Sequence, residues 1–112
     1  MFIRNDTYET KELPSVSCFE VDDLIAPTIV LLNKKGYITS ACCSGHTDKG
    51  YSIAYIQFGF GEITPEYLPS GWYWTENGQQ MEYKYEPLTQ PLIESVMVAL
   101  TSWAELLPSA TT

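Results

Sequence analysis

Arginine is almost missing from this chain of 112 residues. Arg4 is the only one, and six Lys plus Arg stand against fourteen Asp plus Glu, for a formal net charge of −8. Proteins that grip duplex nucleic acid or an anionic membrane do so by neutralising phosphates with Lys and Arg, so this balance argues against both. It leaves room for a small anionic ligand held by a few local groups, because net charge governs long-range steering and not the contacts inside a pocket. Long apolar runs are lacking too. The longest, Leu24 to Leu32, is broken by Pro27 and Thr28 and is too short to span a bilayer. No apolar stretch of the signal-peptide kind follows Met1 to Asp6, so the expected setting is cytoplasmic. There are three cysteines and no C-x-x-C, and adjacent Cys42 and Cys43 are poor disulfide partners. Reduced thiols are the simpler picture.

What is present is a folding composition. With 45% hydrophobic and 13% aromatic residues, positions 1–112 have enough apolar material for one domain with its own core. Residues 1–20 read as an arm or edge strand, with β character around Val16 to Phe19. Asp22 is a helix-capping type, and Leu24, Ile25, Ile29, Leu31 and Leu32 follow near helical spacing. Lys34 and Lys35 suit the end of that helix, Gly36 suits its closure, and the segment is expected to run roughly from 22 to 35. Pro27 is tolerable there only in the first turn.

Tyr37 to Cys43 and Ser52 to Phe60 read as strands around a turn-rich loop of about seven residues. Trp72 to Glu76 and Gln79 to Tyr85 flank Asn77-Gly78, a type I′ hairpin signature. That turn sets Trp74 opposite Met81 and Trp72 opposite Tyr83, with Trp72, Trp74, Met81, Tyr83 and Tyr85 on one face. Thr89 and Pro91 open a second helix with Leu92, Val96, Ala99, Leu100, Trp103 and Leu107 as its stripe. Pro108 ends it, and residues 109–112 are expected to fray. The predicted class is α+β, a four-stranded, mostly antiparallel sheet with both helices packed on one face.

Chemistry concentrates between Cys42 and Lys49. Ser44 and Gly45 are suited to a concave nest of backbone N–H groups, Ser44 and Thr47 add hydroxyls, and His46 and Lys49 add positive character. The same stretch also reads as an ordinary polar turn bent at Gly45 and Gly50. The hairpin aromatics pack as core, or else Trp72 or Tyr73 reaches a pocket and stacks on a flat ring. Cys18, Cys42, Cys43 and His46 would total a Cys3His metal set, but neighbouring residues of a regular strand point to opposite faces, and no metal is expected. Cys43 beside His46 has the makings of an activated thiol, with no orienting third residue visible in the sequence. The acidic residues are scattered rather than paired.

Three stretches carry a likeness: Tyr37 to His46 (Tyr-Ile-Thr-Ser-Ala-Cys-Cys-Ser-Gly-His), Tyr55 to Phe58, and Gly71 to Trp74. Together they resemble small uncharacterised proteins of Firmicutes and their phages over roughly residues 20–86. Ala41 to His46 is also similar to the Ser-Ser-Cys-Ser-Gly-Arg motif of the wybutosine-synthesis methyltransferase family, with His46 in place of the arginine. The first resemblance implies a phage or prophage setting, in which small proteins sequester the nucleotide signals of bacterial immunity. The expectation is therefore a non-enzymatic, cofactor-free, homo-oligomeric binding protein for a small anionic, nucleotide-like ligand. Its site would comprise Cys43, Ser44, Gly45, His46, Thr47, Lys49, Tyr51, Trp72 and Tyr73. The alternatives are a small enzyme acting on a nucleotide or nucleoside through Cys43 and His46, or an acidic inhibitor of a host protein.

Overall fold

In the computed structural model, which describes residues 22–75 and 78–110 in full and the backbone of 2–4 and 18–20, proline decides where the first helix starts. Pro27 has no N–H and its ring would clash with the carbonyl four residues back, so a helix beginning at Asp22 is not available. Helix α1 instead spans Ala26–Lys34 and takes Pro27 into its first turn, with Ile25 at the N-cap position. Asp22 secures the turn ahead of it: the Ile25 N–H donates to Oδ1 at 3.3 Å and the Ala26 N–H to the Asp22 carbonyl at 3.1 Å. At the other end Gly36 adopts φ +96, and the N–H groups of Gly36 and Tyr37 reach back to the carbonyls of Asn33 and Leu32. That is a Schellman closure, and glycine suits its left-handed position.

The strands follow in order: β1 (Phe2–Arg4), β2 (Cys18–Glu20), then β3 (Thr39–Cys43), β4 (Ile53–Phe58), β5 (Tyr73–Trp74) and β6 (Gln80–Lys84). Helix α2 (Gln90–Leu106) is last. β1 and β2 form a separate two-stranded antiparallel ribbon, so the expected N-terminal strand is present but outside the main sheet; Val16 and Ser17 lie outside the described residues. The main sheet has order β3-β4-β6-β5 and every pairing is antiparallel. Trp74 pairs with Met81, as the turn rule requires, though Asn77 itself lies outside the described residues. An irregularity between Thr39 and Ala41 displaces Ser40 from the ladder. The β3 residues beyond it keep step, so Cys43 stands opposite Tyr55 and Cys42 opposite Ile56.

Alternation then sorts the sheet into two faces. Ala54, Ile56, Phe58 and Met81 point to one side and are buried with Ile25, Ile29 and Leu32 of the first helical segment. From α2 come Ile93, Val96, Met97, Leu100, Trp103 and Ala104. Both helices therefore cover one face, the architecture expected. Val96, Leu100, Trp103 and Leu107 of the expected α2 stripe are buried, Ile93, Met97 and Ala104 join them, and Ala99 is exposed. The Thr89 hydroxyl does accept from the Leu92 N–H, at 3.3 Å.

The end of α2 is tied to the end of α1. The Lys35 ammonium donates to the carbonyls of Ala104, Glu105 and Leu107 at 2.8, 2.6 and 2.6 Å. The Tyr37 hydroxyl donates to the Pro108 carbonyl, and the Ala110 N–H to the Lys35 carbonyl. The tail expected to fray is thus held as far as Ala110. Lys35, expected to serve the helix it ends, serves the C-terminus of the other one.

Candidate functional site

β3 delivers the Cys43 side chain to the uncovered face of the sheet, then turns into the loop before β4. That loop is tighter than its sequence suggests. His46 and Tyr51 exchange backbone hydrogen bonds at 3.0 and 2.9 Å, so only residues 47–50 make the turn. Gly45 has φ +94, and a Cβ there would lie 2.6 Å from Cε2 of Tyr85. The Tyr85 hydroxyl donates to the Ser44 carbonyl at 2.7 Å. Trp72, Tyr83 and Tyr85 form a row of rings, with centroids 5.8 and 5.2 Å apart, that ends beneath the loop. Trp72 and Tyr85 are buried on the helix-covered side with Tyr83 packed against them, and they support the loop from inside.

Most of the main-chain donors expected to cradle an anion are already in use. The Ser44 N–H donates to Asp22 Oδ2 at 3.0 Å, the Gly45 N–H to Cys43 Sγ at 3.4 Å, and the His46 N–H to Tyr51. Ser44 is buried and its hydroxyl donates to the Gly45 carbonyl at 3.2 Å. Lys49 supplies the positive charge that the loop offers outward, and the His46 imidazole stands beside it with Nε2 3.8 Å from Asp22 Oδ2. The Lys49 ammonium sits 5.9 Å from the centre of the Tyr51 ring, and Thr47 shares the turn between them.

The structure adds a residue here that no sequence pattern points to. Asp22, which closes the turn before α1, reaches across to the loop. One ligand atom each of Asp22, Cys43 and His46 lies within 4.8 Å of the other two, and His46 Nε2 is 3.8 Å from Asp22 Oδ2. The only local signal was an acidic residue before a helix, and the contact exists because the fold brings position 22 to positions 43–46. The two cysteines differ sharply. Cys42 faces the core, where burial first, with the negative charge of Asp22 added, pushes its thiol up to about 12. Burial also raises the Cys43 thiol and Asp22 adds to the rise, while the Gly45 hydrogen bond and the Lys49 charge oppose it. Both thiols are half-buried; Cys42 packs against the core, and Cys43 lines the uncovered face.

Beside this cluster the uncovered face carries a groove of about 490 Å³ lined by Cys43, Tyr51, Ser52, Ile53, Tyr55, Gln80 and Glu82. Two phenol rings and an isoleucine make most of its wall apolar. At one end Glu82 accepts from Gln80 Nε2 at 2.6 Å and from the Tyr73 hydroxyl at 3.2 Å. The structure thus brings Cys43 and Tyr51 into one groove, with His46 and Lys49 beside Tyr51 and Tyr73 behind Glu82. It does not bring Trp72, which is 8% exposed, on the helix-covered side and packed against Tyr83. Tyr55, Gln80 and Glu82 were missed because only the β4–β6 register, Tyr55 with Glu82 and Gln57 with Gln80, puts them beside Cys43.

Set beside known proteins, the chain finds no match: no family model, curated protein or solved structure aligns with it. Among the described residues no helix is long and apolar enough to cross a membrane.

Proposed function

We propose that this protein binds a small anionic molecule carrying a flat ring, of the nucleotide class, in the groove on its uncovered sheet face, and holds it without chemical change. The observation that carries this reading is the groove's position beside the loop that bears His46 and Lys49. Tyr55 and Tyr51 offer faces for a ring, and stacking of that kind is worth about 1–3 kcal/mol. Gln80 and Glu82 offer an amide and a carboxylate to ring nitrogens. Lys49 meets the anion, with side-chain charge taking the part that a nest of amides plays elsewhere, and His46 lies beside it. In a phage setting, which the resemblance over roughly residues 20–86 implies, the outcome of such binding is sequestration of a nucleotide signal. The sheet face left bare by the one-sided helix cover suits a second copy of the chain, so a homo-oligomer belongs to the same proposal.

Calorimetry against a panel of linear and cyclic nucleotides tests it. Lys49→Ala and Tyr55→Ala should each weaken binding about tenfold or more, the size of one lost stacking or charged contact, while leaving the fold intact. The ligand should be recovered unchanged after denaturation. Nucleotides that fail to bind, or affinities indifferent to both substitutions, would reject the reading.

One observation favours a second reading. Cys43, His46 and Asp22, a thiol, an imidazole and a carboxylate, lie together within 4.8 Å, and these are the group types of thiol catalysis. An enzyme built on them would transform its bound ligand, and conversion that stops in Cys43→Ser separates this reading from sequestration.

A further inference from the structure

The Asp22, Cys43 and His46 cluster stands at the edge of the groove, which Cys43 also lines, and offers a second chemistry. We propose that these three side chains form a binding site for a divalent transition-metal ion of the zinc class, with one coordination position left open. A thiolate, an imidazole and a carboxylate are the donor types that zinc takes, and three protein ligands with a free fourth position is the pattern of sites that bind a water or a substrate. Around a tetrahedral zinc such atoms stand roughly 3.3–3.6 Å apart, so a set already within 4.8 Å, with one pair at 3.8 Å, closes by side-chain adjustment of about 1 Å.

Asp22 and Cys43 are also held from behind at their ligand atoms, and His46 through its main chain, which is what separates a built site from a chance meeting of side chains. Asp22 has both oxygens fixed by main-chain donors, Oδ1 by the Ile25 N–H and Oδ2 by the Ser44 N–H. Cys43 Sγ accepts from the Gly45 N–H. His46 is pinned by its paired backbone bonds to Tyr51, and the Tyr51 ring meets the imidazole edge-on at 5.8 Å. The carbonyl between Cys43 and Gly45 is in turn anchored by Tyr85. Among the described residues no other group of three His, Cys, Asp or Glu side chains comes together in this way. The site differs from a Cys3His set: Cys42 faces the core and takes no part.

The test titrates the purified, metal-stripped protein with cobalt(II) and then displaces the cobalt with zinc. A thiolate-to-cobalt charge-transfer band in the near-ultraviolet, with intense visible bands of a four-coordinate ion, is the expected result. Cys42→Ser should keep those bands. Cys43→Ser should lose the charge-transfer band, and Asp22→Asn and His46→Ala should each weaken zinc binding by at least about tenfold, the loss that removing even an outer partner brings. Absence of a charge-transfer band in the unmodified protein overturns the proposal, and so does a band that persists in Cys43→Ser or disappears in Cys42→Ser. Should Cys43→Ser fail to fold, the unmodified protein and Asp22→Asn decide the matter alone. Nucleotide binding plays no part in this readout, so the groove reading and the metal reading fail separately.

Discussion

At the scale of single residues, Gly45 and Tyr85 form one device. The ring fills the space where a Cβ would stand, and its hydroxyl fixes the carbonyl one residue earlier. Gly45→Ala meets both the ring and an unfavourable φ, and should cost about 1–3 kcal/mol in urea unfolding. Tyr85→Phe keeps the ring and loses one buried hydrogen bond, for about 1 kcal/mol near neutral pH. Its pH behaviour has a definite sign. Burial holds the Tyr85 hydroxyl above its usual range, so the folded protein keeps a proton that the unfolded chain releases. The stabilisation is complete below about pH 10, the ordinary tyrosine value, and is lost as the pH rises from there toward the raised native one. Tyr37 and Tyr55 are raised by burial as well and act in the same direction. The difference between wild type and Tyr85→Phe, followed by urea midpoints into the alkaline range, isolates the one residue: the variant should decline less steeply. Much of the loop's character was legible in the sequence, because Gly45, His46 and Lys49 announce a turn with positive side chains. Asp22 was not. A carboxylate before a helix reads as a cap, and only the tertiary path of the chain shows that it faces Cys43.

At the scale of elements, the hairpin was the easiest part to read and α1 the hardest. The Asn-Gly signature implies one register, and Trp74 and Met81 do pair as it requires. The centre of the α2 stripe, Val96, Leu100 and Trp103, is legible from its spacing, but its margin is not, because Leu92 and Ala99 are as apolar as Ile93 and Met97 beside them. The link between α1 and β3 had no sequence signal either. Asn33, buried near the helix end, donates to the Ile29 carbonyl at 2.9 Å and to Thr39 Oγ1 at 3.0 Å. It also accepts from the Thr39 N–H at 3.1 Å. An asparagine on an otherwise apolar helical face reads as a flaw until its partner on the strand is seen. Asn33→Ala deletes three bonds at the joint that aims β3, and should cost about 2–3 kcal/mol in thermal or urea unfolding. Asn33→Asp loses the two donated bonds and should not rescue it.

For the whole molecule, the deciding joint is the ammonium of Lys35 on three carbonyls at the end of α2. Charged donors there satisfy groups that a helix end leaves open and oppose its dipole. Lys35→Met should lower stability by about 2 kcal/mol, whereas Lys34→Met, at an exposed neighbouring position, should stay within about 0.5 kcal/mol. Equal melting temperatures for the two variants would remove Lys35 from this role. The clasp also bears on the order of events in folding. It joins positions 69 to 72 residues apart, so the covering of the sheet by α2 is complete only after most of the chain has been gathered into one loop. Contacts of that span slow the approach to the native state relative to a bundle of local helices. Until they form, the underside of the sheet is open to water, and an apolar sheet surface in that condition invites pairing with a neighbouring chain. Speed of closure at Lys35, more than the strength of the finished core, would then set how much of a crowded preparation is lost to aggregates.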